Sequence, residues 1–249
     1  MNDCLSALTH CRVILVGTTH PGNIGAAARA MKTMGLTHLT LVAPEADAHD
    51  PVAVARASGA DDVLARAHIV PTLAQALAGT VASLALTARA REWSVPPRPL
   101  REAAQDACAL AHAGAEIALV FGPERSGLDN AAVQMCTQPV TVPTSAEYSS
   151  LNLAAAVQLA CYEMRMAALA DAPEAVPEPA SPWATAEEVE GLHAHLLAAM
   201  TQCGFFDPEH PRQLPARLRR LFGRVRLERE EINILRGLLT AMGCRWKKQ

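Results

Sequence analysis

The sequence predicts an α/β fold, a parallel sheet with helices on both faces, followed by a small all-helical extension. Three observations predict it. Short apolar runs of strand type, each stopped near a Gly, Pro or Thr, alternate with Ala- and Leu-rich stretches that favour helix. The stretch Asp171 to Pro182 carries Pro173, Pro177, Pro179 and Pro182 without apolar periodicity, as a semi-rigid linker does. Beyond it, apolar residues recur at helical spacing only. The expected organisation is an α/β domain over 1–170, a linker over 171–185 and a basic helical unit over 186–249.

In chain order, Arg12 to Val16 is a continuous apolar strand run ended by Gly17. The loop from Thr18 to Asn23 leads into a helix expected from Ile24 to Met34, which Gly35 closes. Leu39 to Val42 is a second strand. Asp50-Pro51 starts a short helix, with Asp as N-cap and Pro at the first helical position. His68 to Val70 is a third strand, followed by a helix from Thr72 to Leu77, and Val81 to Leu86 is a fourth. After Pro96, Pro97 and Pro99, a helix from Leu100 to Ala113 feeds the strand Ile117 to Phe121. A helix from Leu128 to Cys136, a strand from Pro139 to Val142 and a long helix reaching Ala168 complete the domain. Three helices follow the linker, over Ala186 to Met200, Pro215 to Arg224 and Glu228 to Met242; the last carries a clear apolar stripe.

Composition narrows the class. Half the residues are hydrophobic, 19% are charged and 4% aromatic, which suits a soluble globular core of Ala, Leu and Val. No apolar run has the roughly 18 residues of a membrane span, and no signal peptide is expected, so the expected compartment is the cytoplasm. The seven cysteines, at 4, 11, 108, 136, 161, 203 and 244, form no CxxC, and their odd number points to reduced thiols rather than a disulfide framework or zinc site. Charge is uneven: 11 basic against 17 acidic residues up to Thr185, then 11 against 8. Arg212 to Arg229 holds seven arginines and one acid, Glu228. A basic tail on an acidic body suggests a polyanionic partner, the alternative being a solvated helix face.

Three loops carry candidate chemistry. In His20-Pro21-Gly22-Asn23-Ile24-Gly25 the glycines let another group approach the backbone, and Arg29 follows one turn beyond. Glu45 stands about where a ribose-binding acid of a dinucleotide site would, but GxxG after a six-residue loop is not the GxGxxG fingerprint, which disfavours a nucleotide-dependent oxidoreductase. In Gly122-Pro123-Glu124-Arg125-Ser126-Gly127 a carboxylate beside a guanidinium is unusual for a mere turn; Glu124 is expected to orient an arginine of the first loop. Tyr148-Ser149-Ser150-Leu151-Asn152 offers hydroxyls, exposed N–H groups and an amide at a helix start, where the plainer reading is a serine N-cap.

Together these loops resemble the three motifs of the SpoU branch of the SPOUT (α/β-knot) methyltransferases, through Asn23, Gly25 and Arg29; Gly122, Glu124 and Gly127; and Ser150, Leu151 and Asn152. The chain is most similar to the TrmJ family of bacterial tRNA 2′-O-methyltransferases, in ARAMKTMGL after the first motif, TARAR at Thr87 to Arg91, EYSSLNLA at Glu147 to Ala154, and the tail LFGRVRLEREEINILRGLL. Pro123 is a departure, standing where some relatives have Arg.

The resemblance implies a trefoil knot near the C-terminal end of the methyltransferase domain, a homodimer and a tRNA partner, with no metal and no membrane. It implies S-adenosyl-L-methionine among Leu86, Thr87, Ala88, Gly122, Val142, Ser149, Ser150 and Leu151, and a catalytic set of Arg29, Glu124, Ser150, Asn23 and Asn152. The expected reaction is ribose 2′-O-methylation of tRNA, at nucleotide 32 (C or U) of the anticodon loop, with Arg217, Arg219, Arg220, Arg224 and Arg226 gripping RNA. The alternatives are an rRNA 2′-O-methyltransferase and an RNA-binding member of the fold without catalysis.

Overall fold

The computed structural model describes residues 5–88, 94–170 and 179–246. A 3-10 helix (Ser6–His10) opens the chain. Seven strands follow in order: β1 (Cys11–Val16), β2 (His38–Val42), β3 (His68–Val70), β4 (Thr80–Leu86), β5 (Arg98–Pro99), β6 (Glu116–Phe121) and β7 (Gln138–Thr141). Between and after them lie α1 (Pro21–Met34), α2 (Pro51–Ala57), α3 (Asp61–Ala65), α4 (Leu73–Ala76), α5 (Leu100–His112), α6 (Asn130–Met135), α7 (Leu153–Leu169), α8 (Ala186–Gln202), α9 (Leu214–Phe222) and α10 (Arg229–Trp246). The sheet order is β3-β2-β1-β6-β4-β7-β5, and every pairing is parallel.

Strand alternation splits the interior into two layers. Val13, Leu15, Leu39, Leu41, Leu119 and Phe121 face α1, α5 and α7, where Ile24, Met31, Val157 and Met164 are buried. Ile14, Val42, Ala85, Ala118 and Val120 point to the other side, against Leu73, Leu77, Leu128 and Val133. Helices therefore cover both faces, and strands buried on both sides read as unbroken apolar runs in the sequence.

Most predicted elements stand within a residue or two of their places, and the differences have local causes. Helix α1 starts three residues early because the His20 ring caps it, accepting the Gly22 N–H at 3.0 Å, with Pro21 at the first position. Helix α6 starts late, at Asn130, because Asp129 rather than Leu128 can accept the Ala132 N–H. Helix α7 is capped by Asn152, not by a serine. The two-residue β5 and the five-residue α3 carry too little periodicity to be read in advance. Gly35 closes α1 in the left-handed conformation expected of it.

The last three helices have a small core of their own, Ala184, Leu192 and Ile232 with Val189, Leu196, Leu235 and Leu239 against them. Of the linker, residues 171–178 lie outside the described residues, whereas its end is built in. Glu228 accepts the Ala180 and Ser181 N–H groups, Pro182 accepts the Arg229 N–H, and Trp183 bridges to Glu228. Helix α8 meets the sheet at its first turn, where Glu187 accepts the Gly79 N–H at 3.0 Å. Among the described residues no helix is long and apolar enough to cross a membrane.

Cys11, Cys108, Cys136, Cys161 and Cys203 are free thiols. Burial pushes Cys136 and Cys161 up to about 12 and Cys108 to about 11, which keeps these thiols protonated and unreactive. Cys4 and the Cys244 side chain lie outside the described residues.

Candidate active site

Strands β6, β4 and β7 are neighbours, so the loops leaving their carboxyl ends meet at one place, where ligands bind in open α/β sheets. Leu86, Thr87 and Ala88 leave β4, Gly122 to Leu128 leave β6, and Val142 and Thr144 leave β7. With Ser149, Ser150 and Leu151 before α7 they enclose a pocket of about 210 Å³. The Thr87 N–H continues the ladder onto the Val140 carbonyl at 3.0 Å and fixes the start of the β4 loop. All eight residues expected around a cofactor line this one pocket. The walls are apolar side chains (Leu86, Phe121, Val140, Val142, Leu151, Leu153) alternating with loop backbone, a donor set that fits an adenosine-containing molecule. Arg89, Ala90 and Arg91 of the TARAR segment lie outside the described residues.

Gly122 lets the turn fold back on itself. A Cβ there would sit 2.1 Å from the Leu128 N and 2.3 Å from the Gly127 carbonyl carbon, so no larger residue fits. The first-motif Gly25 answers a packing need instead. A Cβ there would lie 1.9 Å from the Ala53 carbonyl oxygen, where α2 crosses α1.

One hydrogen-bond chain joins the three motifs. The Asn152 side chain donates to Asn23 Oδ1 at 3.2 Å, and Asn23 Nδ2 donates to Glu124 Oε1 at 2.9 Å. Its direction is fixed at both ends. Asn152 Oδ1 is occupied in capping Ala154 and Ala155, so its amide must donate, and an ionised carboxylate can only accept. Glu124 also accepts the Thr19 N–H at 3.1 Å, the Thr19 hydroxyl at 3.0 Å and the His20 N–H at 3.3 Å. Partial burial pushes its carboxyl up, but the donors from Asn23 and Thr19 outweigh that and hold it below the usual carboxylate value.

Glu124 therefore does not orient Arg29. Its hydrogen-bond partners, Thr19, His20 and Asn23, lie just before α1 or in its first turn, while Arg29 is exposed further along that helix with no hydrogen bond or ion pair from its side chain among the described residues. Arg29 stands outside the pocket lining, as do Asn23 and Asn152, whereas Ser150 and Glu124 are part of it. Thr19 and His20, which complete the Glu124 clamp, carry no sequence signal beyond their place before Pro21.

A larger cleft, about 290 Å³, lies away from the motifs, between the sheet edge and the last helices. Arg98, Arg219, Arg220, Arg224 and Arg226 line it. Arg219 is committed within the fold, bonded through both terminal nitrogens to Glu190 on α8, one contact being Nη2–Oε2 at 2.7 Å. Arg226 stacks on Trp183, its guanidinium carbon 5.5 Å from the ring centre. Arg220 Nε is buried without a partner, Arg224 is exposed, and Arg217 is exposed but has a partner of its own. Among the described residues no group of three His, Cys, Asp or Glu side chains is arranged to hold a metal.

The geometry agrees with known proteins. The SpoU rRNA Methylase family model matches residues 10–162, and that of the tRNA methyltransferase TrmJ C-terminal domain matches 187–249. The tRNA (cytidine/uridine/adenosine-2′-O-)-methyltransferase TrmJ of Pseudomonas aeruginosa is 48% identical over 94% of this chain and 93% of its own. The crystal structure of TrmJ from Z. mobilis ZM4 superposes with a TM-score of 0.79 at 36% identity, covering 93% of this chain and 98% of that one. The SpoU methyltransferase AviRb of Streptomyces viridochromogenes, solved with AdoMet, aligns with a TM-score of 0.50 at 25% identity over 62% of this chain and 56% of that one. Both family models and a near-full-length relative thus agree with the three joined motifs: the chain belongs to the TrmJ family of the SpoU methylases.

Proposed function

We propose that this protein methylates the ribose 2′-hydroxyl of a tRNA nucleotide, position 32 (C or U) of the anticodon loop, using S-adenosyl-L-methionine. The observation that carries the reading is the Asn152–Asn23–Glu124 chain, which locks three loops together at the mouth of a pocket beyond the strand ends. The relative named for tRNA 2′-O-methylation supports the reaction and substrate, and the AdoMet-bound AviRb supports the cofactor.

S-adenosyl-L-methionine supplies an electrophilic methyl group on a sulfonium. The chain's own residues bind and position. Leu86, Val142 and Leu151 would exclude water, and backbone groups of Thr87, Ala88, Gly122, Ser149 and Ser150 would hold the cofactor by hydrogen bonds. Glu124, through Asn23 and Asn152, keeps the first loop against the third, and Ser150 orders the incoming hydroxyl. Arg29 anchors the neighbouring phosphate and stabilises negative charge growing on the 2′-oxygen; a guanidinium offers five N–H donors and no acceptor, so it is a poor base. Positioning of this kind supplies up to roughly 7–11 kcal/mol of a barrier.

Residues 1–170 would carry this chemistry and 186–249 the grip on tRNA, with Arg220 and Arg224 the freer cations of the large cleft. A homodimer fits an apolar stripe left open on α7, where Tyr162, Met166 and Leu169 are each more than 40% exposed. Tyr148 and Leu151, just before α7, are exposed as well, and Leu151 lines the pocket, beside which a partner's Arg29 would reach.

The deciding experiment is transfer of labelled methyl to unmodified tRNA transcripts, with nucleoside mass spectrometry. A 2′-O-methylated nucleoside at position 32, lost in Arg29→Ala, is expected. Transfer to rRNA alone would redirect the substrate, and absence of cofactor binding would overturn the enzyme reading.

A further inference from the structure

The turn after β6 sets two opposite charges side by side and treats them differently. Glu124 points inward and is saturated by donors from Thr19, His20 and Asn23. Arg125, the next residue, is exposed, lines the same pocket, and makes no hydrogen bond or ion pair among the described residues. Among the described residues these two are the charged side chains in the lining, which gives the pocket one committed negative charge and one uncommitted positive charge. The turn holding Arg125 is stiff: Gly122 packs onto Leu128, and the Gly127 N–H bonds the Pro123 carbonyl at 2.8 Å. A guanidinium fork on a fixed turn at a pocket rim matches a planar carboxylate or a phosphodiester, both of which take two parallel N–H donors.

We infer that Arg125 is the anion-holding residue of this pocket, gripping either the carboxylate at the methionine end of the cofactor or a phosphodiester of the bound RNA. The inference rests on the proposed reading of the pocket as the methyl donor's site. It gives Arg125 a role separate from that of Arg29, which stands outside the lining.

The test uses the full chain, wild type beside Arg125→Ala and Arg125→Lys, and measures equilibrium binding rather than turnover. The probes are S-adenosylhomocysteine, 5′-methylthioadenosine, which keeps the adenosine and sulfur but has no amino acid, and unmodified tRNA across a salt series. If the anion is the carboxylate, Arg125→Ala weakens S-adenosylhomocysteine by roughly ten- to a hundredfold and leaves 5′-methylthioadenosine unchanged. If it is the phosphodiester, both small molecules bind as before, tRNA binds more weakly, and its log–log salt slope falls by about one. In either arm Arg125→Lys keeps the charge without the fork and lies between. Unchanged affinity for all three probes overturns the inference. Equal loss of all three with a lowered thermal midpoint overturns it too, since Arg125 would then be holding the turn. A wild type that binds neither adenosine compound fails differently, at the reading of the pocket itself.

Discussion

Asn23 and Glu124, 101 positions apart, are joined by an amide–carboxylate hydrogen bond of 2.9 Å that fastens the turn after β6 to the first turn of α1. Replacing Glu124 by Gln removes the charge and sets an amide N–H against groups that all donate. We expect methyl transfer to fall about 10–100-fold, from loss of charge-assisted bonds of roughly 1.5–3 kcal/mol. Hydrogen exchange at residues 18–23 should speed up, while the thermal midpoint moves by only a few degrees. The folded Glu124 pKa lies below its ordinary value, so its contribution is complete above about 4.5 and is lost as the pH falls through the folded value. Loop protection in the wild type should follow that course, and in Glu124→Gln should not. Unchanged exchange in the variant would mean that Asn152 and the helix cap hold the loop alone.

Gly25 offers a packing test. Ala at this position would drive its methyl into the Ala53 carbonyl of α2, 1.9 Å away. Overpacking of this sort costs about 1–3 kcal/mol, and the lower urea midpoint should come with a shifted α1. Because Arg29 rides on that helix, transfer should fall more than stability does. A variant as stable and active as wild type would mean that α2 moves aside freely.

Why so much of the sheet was legible follows from burial on both faces: strands such as Ile117–Phe121 must be apolar at every position, and Gly122 must end them. The loops that line the pocket could be placed because their motif residues lie just beyond strand ends. The partners of Glu124 could not. Hydrogen bonds spanning 101 to 105 residues leave no periodic trace, so the expectation of a Glu124–Arg29 pair rested on charge type alone and missed four donors from Thr19, His20 and Asn23. The same limit applies to the tail. Seven arginines read as one patch, yet Glu190 and Trp183, which engage Arg219 and Arg226, lie 29 and 43 positions upstream of them.

The tail arginines should therefore divide by phenotype. Arg219→Ala strips a half-buried Glu190 of its partner and should cost about 1–2 kcal/mol, read as a lower denaturation midpoint. Arg224→Ala should leave stability within about 0.5 kcal/mol and reduce the salt slope of tRNA binding by about one. The reverse pattern would place the RNA on the α8–α9 side instead.

Arg29 separates charge from geometry. Its side chain has no partner among the described residues, so neither Arg29→Ala nor Arg29→Lys should move the thermal midpoint. Loss of a charge-stabilising donor costs roughly 100–1,000-fold in rate, which is expected for Ala. Lys keeps the charge and should retain activity within about tenfold of wild type if charge is what matters. Lys and Ala variants equally inactive would assign the role to the guanidinium fork.

His193 gives the last helices a pH dependence of their own. The ring is 6% exposed and packs edge-on against Phe222 at 5.8 Å, beside the Arg219–Glu190 pair. Burial pushes its pKa down to about 4, Arg219 adding to that and Glu190 opposing it. An unfolded histidine takes up its proton near 6.5, so between about 6.5 and 4 the unfolded state binds more protons and stability falls as the pH drops. The contribution is complete above 6.5 and amounts to on the order of 2–3 kcal/mol lost by pH 4. Urea midpoints measured across this window should show the slope in the wild type and a flatter one in His193→Leu, which keeps an apolar contact with Phe222 and cannot titrate. Parallel slopes for the two proteins would mean that His193 becomes protonated in the folded state without cost, and that the α8–α9 contact is wetter than its burial implies.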